Sequence, residues 1–175
     1  QAYGGAVYMD FDEEFMEERG YGRYEQLDRS TLPSLYMAYW PDAGQESGKT
    51  HHRVLERYEL GEEKVVETMD RIAALTDDAR EALENEHHDE LPDILDRNLD
   101  LRARIYSIDE HDRDMVDRAR EAGASAKLCG SGGAIVGTYP DTDCFDELSE
   151  SLSSAGYRVV SNARNHRMEA DVPLM

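Results

Sequence analysis

The sequence predicts an α+β fold, a small four-stranded antiparallel sheet packed with a layer of helices, on three observations. The helical segments cluster, with three of them running together between residues 62 and 122. Four short apolar stretches with strand character flank that cluster, one before it (residues 32–40) and three after it (126–129, 134–136 and 157–160). A glycine turn, Gly130-Ser131-Gly132-Gly133, joins two of these stretches directly, without a crossover helix. Helices gathered into one run suit a layer laid over a small antiparallel sheet better than alternating βα units.

Taken in order, residues 3–11 alternate loosely and contain Gly4-Gly5, so they read as a strand entered through a tight turn. Residues 12–19 are acidic with Phe15 and Met16 and read as a short helix ending near Gly20. Residues 21–30 are polar and tyrosine-rich and read as loop. Residues 32–40, Leu-Pro-Ser-Leu-Tyr-Met-Ala-Tyr-Trp, make a buried strand; Pro33 restricts it to a sheet edge or must occupy its first residues. A loop follows through Thr50, then a helix over residues 51–60. The next helix covers residues 62–85, with an inward stripe of Val65, Met69, Ile72, Thr76, Ala79 and Leu83. Residues 87–107 form another, with Pro92 tolerated near its start. Residues 112–122 form the third of the cluster and stop at Gly123. After the glycine turn and its strand, Thr142 or Asp143 caps a helix whose inner face is Phe145, Leu148, Leu152 and Ala155, closed by Gly156. Residues 162–175 read as a tail.

The 175 residues suffice for one domain with a real core. No apolar run reaches membrane-spanning length. Thirty-nine Asp and Glu stand against 19 Lys and Arg, a formal net charge of −20. Such a surface repels nucleic acid and anionic membranes, so neither is an expected partner. Clear apolar periodicity argues against disorder, and the charge suits the salt-filled cytosol of a halophile, where self-repulsion is screened. Cys129 and Cys144 have neither metal-ligand spacing nor a disulfide framework, which fits a reducing cytoplasm. The sequence opens as if inside a larger protein.

Three places carry candidate chemistry. The glycines of residues 130–133 let the backbone approach another group and turn its amides outward, which suits an anion such as phosphate; a hairpin without a ligand uses the same residues. Asn98 and Arg102 lie one turn apart on the otherwise apolar stripe of the second long helix, where a polar group must bond to backbone, reach solvent or meet a ligand. Lys49, one of three lysines, stands beside Thr50, His51, His52 and Arg53 as a basic island in an acidic chain. The sequence around it, Ala43-Gly44-Gln45-Glu46-Ser47-Gly48-Lys49-Thr50, also approaches the end of a nucleotide-binding P-loop, between a strand and a helix. Ala43 in place of the first glycine, Glu46 among the phosphates and the clustered helices weigh against a P-loop NTPase using Lys49, which stays as an alternative beside a non-enzymatic ligand-binding α+β module.

The run Lys127-Leu128-Cys129-Gly130-Ser131-Gly132-Gly133-Ala134 resembles the third conserved motif of the GHMP small-molecule kinases, with Ser131 and Ala134 departing from the usual glycine-richer pattern. Three further stretches resemble the glucuronokinase branch of that superfamily: residues 1–11; Ser47-Gly48-Lys49-Thr50-His51 after the strand at 35–40; and Asn98-Leu99-Asp100-Leu101-Arg102. The four matches follow family order from Gln1 to about Val160. The resemblance implies a ferredoxin-like GHMP kinase C-terminal domain over residues 31–162. Residues 1–30 would end the N-terminal kinase domain, and 163–175 would be a tail. It implies transfer of the γ-phosphoryl of ATP, with Mg²⁺, to a sugar such as glucuronate at its anomeric hydroxyl. The nucleotide loop and catalytic Asp of the family are expected upstream of Gln1, in the N-terminal half of the same kinase, leaving no catalytic residue in these 175. Gly130, Ser131, Gly132 and Gly133 would brace the phosphates. Tyr3, Lys49, Asn98 and Arg102, with Gln1 and Arg104 nearby, would line the sugar side.

Overall fold

In a computed structural model, described for residues 6–42 and 48–163, four strands form one antiparallel sheet in the order β4-β5-β3-β6. They are β3 (Leu35–Tyr39), β4 (Lys127–Leu128), β5 (Ala134–Thr138) and β6 (Arg158–Ser161). Beside them β1 (Val7–Asp10) and β2 (Arg23–Gln26) pair as a separate antiparallel hairpin, with α1 (Glu13–Arg19) between them. The helices are α2 (Gly48–Glu59), α3 (Glu63–Glu84), α4 (Leu91–Arg102), α5 (Glu110–Glu121) and α6 (Thr142–Ser154). The α+β class and the four-stranded sheet are those predicted.

The pleat of β3 sends Tyr36 and Ala38 to one face and leaves Leu35, Met37 and Tyr39 half-exposed on the other. The buried face meets Met115, Val116 and Ala119 of α5 and Phe145, Leu148 and Leu152 of α6. Leu148 and Leu152 are fully buried, and each contributes roughly 2 kcal/mol through apolar area removed from water. A second cluster joins α3 to α4 through Leu75, Ala82, Leu91, Ile94 and Leu101. A third holds Val54, Val65 and Ile105 together. The hairpin is fastened to α3: the Tyr8 hydroxyl donates to Asp77 at 2.8 Å, and Arg80 donates to Glu25 at 2.9 Å while its guanidinium lies 4.5 Å from the Tyr8 ring centroid.

Several local readings change. Residues 23–26, read as loop, form β2; all four are exposed, so no apolar alternation marked them. Of the two places left open for Pro33 the structure takes the strand's start: the strand at 35–39 is central, and Pro33 lies just ahead of its first ladder pair, Leu35 with Thr138. The inward stripe of α3 is broader than predicted: Val65 is buried and Met69, Ile72, Ala79 and Leu83 pack half-buried as expected, but Thr68, Leu75 and Ala82 are buried as well and Thr76 is exposed. The Thr68 hydroxyl offsets its burial by donating to the Lys64 carbonyl at 2.6 Å. The helix predicted over 87–107 is shorter, α4 alone, with Pro92 in its first turn and Ala103 closing it. The cap of α6 is Asp141, whose carboxylate accepts from the Cys144 amide at 2.9 Å, not Thr142 or Asp143. Helix α2 begins at Gly48, so Lys49 sits in its first turn and not in a loop.

One charged cluster locks α5 to the start of β6. Asp114 accepts from Arg118 at 2.9 Å and from the Tyr157 hydroxyl at 2.8 Å, and these bonds, the Arg118 one first, hold its carboxyl below the usual range. The contribution is present above the unfolded carboxyl range near pH ~4 and disappears as pH falls through the lower folded value. Asp114 is partly exposed, so Asp114→Asn should cost only about 1 kcal/mol at pH 7. The wild-type advantage over this variant should shrink below pH ~4, read by urea unfolding across pH.

Candidate functional site

The glycine turn runs from β4 into β5, with Gly130, Gly132 and Gly133 at φ +57°, +128° and +79°. Only glycine adopts the middle value without strain. Four bonds fix the turn: the Gly132 amide donates to the Cys129 carbonyl (3.3 Å), the Cys129 amide to the Ala134 carbonyl (2.8 Å), the Trp40 amide to the Gly133 carbonyl (3.0 Å), and the Gly133 amide to Asp112 Oδ1 (2.7 Å). Gly130 and Ser131 are exposed, and their amides bond to nothing among the described residues. The turn therefore offers two outward N–H groups on a backbone held from behind, an arrangement that receives an anion.

Behind the turn lies Asp112, in the first turn of α5, only 4 % exposed. Burial pushes its carboxyl up, the Gly133 bond acts against this, and the charges of Asp109, Arg102 and His111 add smaller effects. Its Oδ2 fills the space a Cβ on Gly132 would need. On the side of β3, the Trp40 ring stacks on His111 with centroids 3.9 Å apart. Sequence reasoning gave neither Asp112 nor Trp40 a role. An acid in a helix's first turn is common for reasons of the helix dipole, so nothing marked Asp112 out.

Arg102 and Asn98 are both half-buried on α4, as predicted for one shared face. The Arg102 guanidinium lies 4.9 Å from the Tyr106 ring centroid. Its Nε is buried and has no hydrogen-bond partner among the described residues, a costly state unless a group from elsewhere completes it. Its charge reaches both Asp112 and Lys127. Lys127 donates to the Leu128 carbonyl at 3.2 Å; burial and then Arg102 lower its pKa, with Cys129 acting the other way. Arg104 is exposed. Another face of α4 serves structure: Asp96 accepts from Arg120 at 3.1 Å and from the Ala126 amide at 2.8 Å. Tyr3, Gln1 and the side chain of Lys49 lie outside the described residues.

A cleft of about 420 Å³, lined by Pro33, His88, Asp89, Ser125 and Tyr139 among others, opens at the other end of the sheet. The register shows why: Leu35 and Thr138 pair at that end, whereas Tyr39 and Ala134 pair beside the glycine turn. None of the predicted site residues that the structure describes lines it. Every strand pair among the described residues is antiparallel, which argues against the parallel core a P-loop NTPase requires. Both cysteines are free. No described helix is long and apolar enough to cross a membrane.

Residues 79–158 match the family model described as GHMP kinases C terminal. The chain is 37% identical over 161 residues to Glucuronokinase 1 of Arabidopsis thaliana, covering 90% of this chain and 44% of that protein. It is 38% identical over 145 residues to Probable glucuronokinase 2 of the same plant, covering 81% of this chain and 39% of the relative. It therefore spans less than half the length of these curated relatives. Among solved structures, the L. major mevalonate kinase in complex with R-mevalonate superposes with a TM-score of 0.72 at 21% identity, over 87% of this chain and 45% of that one. A Lin0012 protein from Listeria innocua gives 0.77 at 15%, over 92% and 52%. Both likenesses concern the fold.

Proposed function

We propose that the chain, whose residues 79–158 match the GHMP kinase C-terminal model, forms one wall of the phosphoryl-transfer cleft of an ATP-dependent sugar kinase acting on glucuronate, or a closely related sugar, at the anomeric hydroxyl. The observation that carries this reading is the 37% identity to a glucuronokinase over 90% of the chain. The outward amides of Gly130 and Ser131 add to it, since phosphoryl transfer depends on placing and neutralising phosphate charge more than on covalent chemistry from the protein. In this reading residues 1–30 close the N-terminal kinase domain, which supplies the nucleotide loop and the catalytic carboxylate. Residues 31–162 form the C-terminal domain. Mg²⁺ is taken to arrive with ATP as its substrate complex. The acidic surface and free thiols support a reducing, salt-rich cytoplasm as the working compartment.

Arg102 is assigned to the sugar's carboxylate, with Asn98 beside it and Tyr3 and Lys49 on the sugar side. The unpartnered Nε and the planar fork of the guanidinium suit such an anion. A hydrogen bond to a charged group contributes about 1.5–3 kcal/mol, so Arg102→Ala in the full-length protein should raise KM for a uronic acid roughly ten- to a hundredfold. The KM for the matching neutral sugar should barely move. Steady-state phosphorylation of both sugars checks this, and equal changes would remove the carboxylate clamp.

A further inference from the structure

Among the described residues Asp112 is the one buried carboxylate, it is set against the glycine turn, and two of its atoms meet that turn separately. Oδ1 accepts from the Gly133 amide at 2.7 Å, and Oδ2 occupies the place of the missing Gly132 side chain. The turn's three other bonds are all between backbone groups, so Asp112 is its one side-chain anchor among the described residues, and the amides of the exposed Gly130 and Ser131 are unbonded there. The groups facing this carboxylate come from several elements: Asp109 before α5, His111 on it, Arg102 from α4 and Tyr157 at the start of β6. Burying a carboxylate beside so little positive charge is expensive, and a fold retains such a group where its acceptor atoms do something an apolar side chain cannot. Here that task is to hold a backbone N–H on the inner side of a turn whose next amides point outward.

We propose that Asp112 is the positioning residue of the glycine turn: by holding the Gly133 amide and filling the space behind Gly132, it fixes the direction in which the Gly130 and Ser131 amides meet the phosphates of ATP. This rests on the kinase reading for the identity of the anion, but not for the anchoring itself.

The test compares Asp112→Leu, which fills the space without an acceptor, with Asp112→Asn, which keeps an acceptor oxygen, in the full-length protein. Leu is expected to raise KM for ATP about tenfold with KM for the sugar within twofold, and Asn to bring KM for ATP back to within about threefold of wild type. Equal rises in both KM values, an unmoved KM for ATP in the Leu variant, or an Asn variant as poor as Leu would each overturn the proposal. Amide hydrogen exchange on the wild-type protein supplies a readout independent of activity and of whether the Leu variant folds. The Gly133 amide should exchange at least a hundredfold more slowly than that of Ser131, and comparable rates would overturn the anchoring. If the wild-type protein phosphorylates no sugar, the kinase reading falls, while slow exchange at Gly133 still upholds Asp112 as the anchor.

Discussion

Gly137→Ala is expected to remove a large part of the domain's stability. Gly137 is buried in β5 opposite Tyr36, and a Cβ there would overlap the carbonyl oxygen of Ser125 and stand 2.6 Å from its carbon and 2.7 Å from Cε1 of the Tyr36 ring. Backbone cannot rotate away as a side-chain tip can. The Ser125 carbonyl accepts from the Tyr36 hydroxyl at 2.8 Å, and that hydroxyl is so deeply buried that its pKa is driven well above the usual tyrosine range. The next residue extends the same network: the Ser125 amide donates to the Thr138 carbonyl at 3.0 Å, and the Thr138 amide to Ser125 Oγ at 2.9 Å. Making room for one methyl therefore breaks buried hydrogen bonds as well as packing. Overpacking costs about 1–3 kcal/mol and each orphaned buried group about as much again, so a loss of roughly 4 kcal/mol or more is expected. That is a large part of the ~5–15 kcal/mol that holds a domain together. Urea unfolding of the variant beside wild type measures it, and a loss under about 1 kcal/mol would contradict the close approach.

Gly132→Ala should do its damage to function more than to stability. The φ of +128° is one that side chains other than glycine's reach only with strain, costing about 1–3 kcal/mol. The new methyl would also collide with Asp112 Oδ2. Relief comes either from swinging the carboxylate off the Gly133 amide or from flipping the turn. Both routes redirect the amides of Gly130 and Ser131, which are the groups proposed to meet phosphate. The full-length variant should lose at least tenfold in kcat/KM for ATP, while its melting temperature falls by only a few degrees. Unchanged kinetics would mean that the turn has no part in phosphate binding.

Strands β3 and β5 and helices α3 to α6 were legible because each buries one face, and a buried face leaves a period of two or near 3.6 in the sequence. Where burial was missing the signal failed, as for β2, whose four residues are all exposed. The α3 stripe was read too narrowly for a related reason: Thr68 is polar by composition yet buried, and its hydroxyl bond to the preceding turn hides the conflict. At the site, the glycine turn, Asn98 and Arg102 stood out because each breaks a local pattern. Asp112 breaks none. Its importance arises from tertiary contact with a turn twenty-one residues away, which no local spacing encodes. Gly137 was an available clue, since an isolated glycine in a strand often marks close backbone approach.

The position of β3 at the centre of the sheet has a bearing on how the chain assembles. Its two partners arrive late: Tyr36 pairs with Gly137 on one side and with Ser161 on the other. As the polypeptide leaves the ribosome, β3 must wait through the whole helical cluster with both hydrogen-bonding edges bare. Closing such wide separations is entropically demanding and slow, and open edges during that interval invite pairing with other chains. The dense negative charge would then serve the nascent polypeptide as well as the finished one, keeping neighbouring copies apart until Arg158–Ser161 seals the sheet.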